Sequence, residues 1–131
     1  ERASVANAAG ADLFVRLHCD GSDDPGARGF STLVPGYNEW TAAAGIVDSS
    51  ALAASIMHPM IIAEVGMPDV GIIERNDLAG FNFCEVPSVL FEMGFMSNYE
   101  EDLQLNDPVY QERLAQAICD ATIAYLEAVS G

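Results

Sequence analysis

The chain has 131 residues, of which half are hydrophobic and 19% are charged, so its size suits one domain with a packed core and its composition excludes intrinsic disorder. Twenty acidic residues against five arginines and no lysine give a formal net charge of −15. Such a surface repels phosphate groups, so we expect neither nucleic acid nor a membrane as a partner.

The first half of the chain alternates between predicted helices and strands. The predicted elements are a helix over 1–10, strands over 13–17 and 30–34, an aperiodic segment over 37–47 that forms a loop or an irregular helix, and a helix over 48–63. Gly10 is placed to end the first helix in a left-handed conformation, and Gly66 is expected to end the helix over 48–63. Pro59 is expected to kink or shorten the helix over 48–63, because proline removes a backbone donor.

The second half of the chain continues the alternation. The predicted elements are a short strand over 70–73, a loop over 76–83, a strand over 86–91, a short helix that begins near 97–101, and a long helix that Asp107 and Pro108 open. Strands that alternate with helices predict an α/β fold, with a twisted, mostly parallel sheet and helices on both of its faces.

Two strands run into chemically useful side chains. His18 follows the apolar strand 13–17, and Glu92 follows Val89, Leu90 and Phe91. An ionised carboxylate resists burial unless something compensates for the loss of water, so Glu92 requires a functional explanation. If the two strands are parallel, both side chains lie at the same edge of the sheet. The imidazole of His18 can bind a metal ion, and the carboxylate of Glu92 can transfer protons. Such a pair indicates a metal-assisted hydrolase.

Other polar residues are weaker candidates. The three cysteines lack CxxC spacing, so we expect neither a disulfide framework nor a cysteine zinc site, and we predict that Cys84 and Cys119 are core residues. Cys19 is a candidate soft ligand, but neighbouring strand residues point to opposite faces. His58 is expected to have a packing or surface role.

Two blocks of the sequence carry a family resemblance. Residues 2–18, RASVANAAGADLFVRLH, resemble the R…AN…ADLFVSIHAN segment of zinc-dependent N-acetylmuramoyl-L-alanine amidases of the type 3 family. Residues 87–98, PSVLFEMGFMSN, are similar to that family's P.VLVE.GF.SN block. The segments 50–63 and 70–82 resemble the helix and the loop between the blocks, so the likeness covers nearly the whole chain in the correct order.

The resemblance implies roles for both strand residues. His18 corresponds to a zinc ligand, and Glu92 corresponds to the catalytic carboxylate. The implied activity is hydrolysis of the amide between N-acetylmuramic acid and L-alanine in peptidoglycan, at the cell wall, by a secreted bacterial or phage-encoded protein. An autolysin, a sporulation enzyme and a phage lysin all remain open.

The other two zinc ligands of the family do not occur in this sequence. They are a histidine in a DPGHGG-like turn and a glutamate on the following helix, and we expect both upstream of Glu1. The chain 1–131 is therefore expected to be the C-terminal portion of a single amidase-like catalytic domain that lacks its first strand and helix. We expect it to bind zinc weakly and to be inactive alone.

Two further expectations follow from the missing ligands. The absent elements would leave an exposed sheet edge, which the missing N-terminal segment or a second copy of the chain would cover. The alternative function is a non-catalytic amidase-like module that binds cell-wall peptides or regulates another wall enzyme.

Overall fold

A computed structural model describes all residues from Glu1 to Gly131 as one sheet between helices. The elements in chain order are α1 (Arg2–Ala9), β1 (Phe14–Asp20), β2 (Phe30–Pro35), α2 (Glu39–Ala44), α3 (Val47–Val65), β3 (Asp69–Arg75), α4 (Ala79–Asn82), β4 (Ser88–Phe95), α5 (Tyr99–Leu105) and α6 (Pro108–Val129). No helix combines the length and the apolar character needed to cross a membrane.

The four strands lie in the order β1-β4-β2-β3. β1 pairs with β4 and β2 pairs with β3 in parallel, whereas β2 and β4 are antiparallel. The sheet is therefore mostly parallel, as predicted. β1 and β3 form its two edges, and β4, which carries Glu92, is an interior strand.

Helices cover both faces of the sheet. On one face α3 and α6 pack against the apolar strand residues Phe30, Val89 and Phe91 in the main core. On the other face Phe81 of α4 packs against Leu33 and Leu90. The predicted α/β fold with helices on both faces is confirmed.

Local sequence signals explain where most helices end and begin. Gly10 and Gly66 both adopt left-handed conformations after α1 and α3. The Asp107 side chain accepts a hydrogen bond from the Val109 amide, and Pro108 follows it at the first position of α6. The helix predictions at these three points are confirmed.

The structure corrects four predictions. Pro59 does not shorten α3, which continues to Val65, because its buried side, which includes Met57 and Ile61, packs on the core before and after the proline. Residues 37–47 contain the regular helix α2, and residues 76–83 contain the short helix α4. Cys119 is exposed, although Cys84 is buried as predicted.

Candidate active site

His18 and Glu92 lie directly opposite each other on the parallel strands β1 and β4. Neighbouring strands are roughly 4.8 Å apart, and paired residues of parallel strands point to the same face. Both strands continue past these residues, to Asp20 and Phe95, so the two side chains project from within the strands and not from the loops after them. The structure brings the two predicted site residues together, and their chemical roles stay predictions.

Glu92 is a partly buried carboxylate in an unusual state. Its Oε2 atom is buried and has no hydrogen-bond partner. Burial raises the pKa of Glu92, and the charge of Asp20 raises it further, while Arg16 and Arg75 act in the opposite direction. A carboxyl group whose pKa is moved toward neutrality can both accept and donate a proton, which is the requirement for a general base that later acts as an acid.

His18 is half-buried on the same face. Burial lowers its pKa, and the nearby positive charges of Arg16 and Arg2 lower it further. The neutral imidazole is therefore favoured at neutral pH, and this is the form in which histidine binds a metal ion.

A buried glutamate fixes the backbone around this edge of the sheet. Glu101, in the first turn of α5, is 1% exposed. Its Oε1 accepts a hydrogen bond from the Gly29 amide at 2.7 Å, and its Oε2 accepts one from the Phe95 amide at 2.7 Å. Glu101 thus ties the end of β4, three residues after Glu92, to the loop that leads into β2. The sequence analysis missed this residue.

The loop after β1 is joined to the turn after β4 by further contacts. The Ser22 amide donates to the Ser97 hydroxyl at 3.0 Å, and the Asn98 side chain donates to the Pro25 carbonyl at 3.1 Å. These bonds join the acidic segment 20–29 to the turn after β4, the strand that carries Glu92. We call segment 20–29 and residues 95–101 together the rim of the site.

The remaining ligand candidates lie away from this pair. Cys19 lines an apolar groove on the opposite face, together with Leu17 and Met93. His58 is buried in α3, where its ring nitrogens form 2.8 Å hydrogen bonds with Thr32 and Asp69. The predicted packing role of His58 is confirmed.

The residues present fit one part of a zinc site but do not complete one. A catalytic zinc site normally has three protein ligands. No group of three histidine, cysteine, aspartate or glutamate side chains in residues 1–131 is arranged to hold a metal ion. The neutral imidazole of His18, beside a carboxylate with an unpaired oxygen, is the part of the donor set that this chain supplies.

Comparison with known proteins identifies the family. The sequence model that describes N-acetylmuramoyl-L-alanine amidases, Amidase_3, matches residues 1–124. The chain belongs to this amidase family. The resemblance found in the two sequence blocks is thereby confirmed.

Individual amidase relatives agree in sequence and in fold. The chain is 34% identical over 125 residues to the N-acetylmuramoyl-L-alanine amidase LytC of Bacillus subtilis, covering 95% of this chain and 24% of that protein. It is 31% identical over 132 residues to the amidase Rv3717 of Mycobacterium tuberculosis, covering 96% of this chain and 53% of that protein. The crystal structure of an N-acetylmuramoyl-L-alanine amidase from Clostridium difficile 630 superposes with a TM-score of 0.82 at 27% identity, covering 96% of this chain and 63% of that one.

This amidase-family chain thus spans between about a quarter and two thirds of the length of these relatives.

The face of the sheet that carries His18 and Glu92 also carries Arg16, which the sequence analysis did not consider. Arg16 lies two positions before His18 on β1, so the period of a strand places it on the same face. That alternation was the signal that could have found it.

Proposed function

We propose that the protein containing this chain hydrolyses the amide between N-acetylmuramic acid and L-alanine in the peptidoglycan of the bacterial cell wall. The observation that carries the proposal is the register pair His18–Glu92, in which a buried carboxylate oxygen has no partner. Membership of the amidase family supports the same reaction class.

Glu92 performs the proton transfers in this proposal. It accepts a proton from the water whose oxygen attacks the amide carbonyl carbon. It then returns that proton to the alanine nitrogen as the C–N bond breaks, which leaves a lactyl carboxylate and a free amine. Its raised pKa suits the second transfer, because a carboxyl group with a raised pKa holds the proton more firmly until it is delivered.

His18 is proposed as one zinc ligand, through a ring nitrogen of its neutral imidazole. Zinc, when bound, would polarise the substrate carbonyl and lower the pKa of water to about 7. Because residues 1–131 contain no three-ligand cluster, we expect this chain alone to bind zinc weakly.

Two variants of the parent protein test the separate roles. Glu92→Gln should lower kcat by about 10²–10⁴-fold, the usual contribution of a general base, and leave zinc content unchanged. His18→Ala should lower both zinc content and activity. Glu100→Gln is the matched control, since Glu100 is an exposed glutamate that pairs only with Arg28 at the surface.

Cleavage is measured as the release of alanine amino groups from a muramoyl peptide. Zinc content is measured by elemental analysis. Full activity of Glu92→Gln, or stoichiometric zinc in His18→Ala, contradicts the assigned roles. Tight, stoichiometric zinc in the 131-residue chain would show that a complete site exists within it.

A further inference from the structure

The arginines of this chain fall into two groups. Three pair with carboxylates: Arg28 with Glu100 at 3.1 Å, Arg75 with Asp77 at 2.8 Å, and Arg113 with Glu64 at 3.3 Å. The side chains of Arg16 and Arg2 form no ion pair and no hydrogen bond, although the chain has 20 acidic residues available. Two unpaired arginines are unexpected in so acidic a chain.

Arg16 is the more unusual of the two because two atoms of its guanidinium are buried, although the residue as a whole is only half-buried. Its Nε and Nη1 atoms are two of only four buried side-chain polar atoms in the molecule that lack a partner, and the Oε2 of Glu92 is a third. Buried polar groups normally have hydrogen-bond partners, since leaving a donor unpaired costs about 1–3 kcal/mol. An acceptor that completes Arg16 is therefore strongly favoured.

The surroundings hold the Arg16 guanidinium in one place. It lies 5.4 Å from the ring centroid of Phe81. On another side it packs so closely on Gly80 that a Cβ atom there would come within 2.5 Å of Arg16 Cζ. A side chain held in this way loses little freedom on binding a ligand, which favours affinity.

Arg16 and Arg2 line the same cavity, of about 350 Å³. Gly80 and Phe83 form part of its wall, and Glu1 contributes its only carboxylate. Glu1 is not paired with either arginine. Two arginines that line one cavity attract an anion, and the planar fork of arginine matches a carboxylate.

We propose that Arg16 and Arg2 bind a carboxylate of the peptide that follows the alanine of the substrate; this rests on the proposed amidase function. Arg16 is two residues from His18 along β1, or roughly 6.6 Å at the usual rise of a strand. One or two residues of an extended peptide cover that distance. The carboxylate would therefore belong to the residue next to the alanine.

This feature distinguishes the chain from the family pattern. The family block ADLFVSIHAN has a serine at the position of Arg16, and a serine cannot offer a charged, forked donor.

Direct binding tests the proposal without catalysis. The probes are two forms of L-alanyl-D-glutamate in which the γ-carboxyl is blocked as a methylamide. In one form the α-carboxylate is free, and in the other it is a carboxamide. Calorimetric titration of the parent protein should show a preference of about 10-fold for the carboxylate form, because charge-assisted hydrogen bonds are roughly twice as strong as neutral ones. Arg16→Gln should abolish the preference.

Two further variants make the binding test specific. Gly80→Ala should also reduce the preference, because the added Cβ displaces the guanidinium without removing its charge. Arg113→Gln removes an arginine that is paired elsewhere and should keep the preference. Circular dichroism of each variant checks that it is folded. An equal preference in wild type and Arg16→Gln, or no binding of either dipeptide by the wild type, overturns the proposal.

Kinetics of the parent protein separate this proposal from the proposed function. Muramoyl dipeptides that end in the same two forms should differ about 10-fold in KM for the wild type and not for Arg16→Gln, by the same ratio of bond strengths. Cleavage of both substrates with equal KM refutes the carboxylate site and keeps the amidase function. A binding preference without any cleavage refutes the function and keeps the site.

Discussion

Replacing Glu101 tests whether a buried carboxylate holds the rim of the site together. Glu101 accepts two backbone hydrogen bonds at 2.7 Å, from the amides of Gly29 and Phe95. A hydrogen bond to a charged group contributes about 1.5–3 kcal/mol, so Glu101→Ala should cost roughly 3–5 kcal/mol after some relief of carboxylate burial. That loss is a large share of the roughly 5–15 kcal/mol that stabilises a typical domain.

The assay is urea and thermal unfolding followed by circular dichroism. Glu101→Ala should lower the midpoint temperature by about 10–20 °C for a chain of this size. Glu100→Ala is the matched control, since its neighbouring carboxylate is 76% exposed and pairs only with Arg28 at the surface. That control should change stability by less than about 1 kcal/mol. Equal losses for the two variants would refute the assignment of Glu101 as the residue that joins the rim.

Three more predictions concern single positions. Gly29→Ala should cost about 2–3 kcal/mol in the same unfolding assay, because Gly29 has a φ of +118° and an added Cβ would lie 2.6 Å from a backbone oxygen. The control Gly21→Ala should be nearly neutral, because an added Cβ there would have nothing within 4 Å. His58→Ala should cost about 2–4 kcal/mol through loss of a buried hydrogen bond with Thr32 and a partly buried one with Asp69, against less than about 1 kcal/mol for His18→Ala. For Glu92, the unfolded chain releases the proton near pH 4.3, roughly the ordinary value, and the folded chain releases it at higher pH, so stability falls as pH rises between the two values. Glu92→Gln should remove that fall and be more stable than wild type at neutral pH but not at pH ~3; a parallel pH dependence in both proteins would contradict the raised pKa.

The sequence contained enough information to find the fold and the central pair. Apolar runs before His18 and Glu92 predicted two buried strands, and parallel strands bring their equivalent ends together. Helix boundaries at Gly10, Gly66 and Asp107 followed from local capping chemistry, which depends only on neighbouring residues. These features were predictable because each is decided over a few positions.

Features that depend on tertiary contacts were not predictable in the same way. Glu101 lies in an acidic run that resembles an exposed helix start, and only the folded chain brings the distant Gly29 amide to it. Cys119 is next to Ile118, which packs against the main core, but a helix turns by about 100° per residue, which directs the thiol to solvent. The short helix α2 has no apolar period, and its readable signal was the capping box between Asn38 and Thr41.

The electrostatic balance around Glu92 connects the two proposals. Burial and Asp20 favour its protonated form, while Arg16 favours the ionised form from the same face of the sheet. If a substrate carboxylate binds Arg16, it neutralises that guanidinium and weakens its pull on Glu92. The proton affinity of Glu92 would then rise when substrate is bound, at the stage when the carboxyl group must retain a proton and pass it to the departing amine. A residue that selects the substrate would in this way also adjust the base that cleaves it.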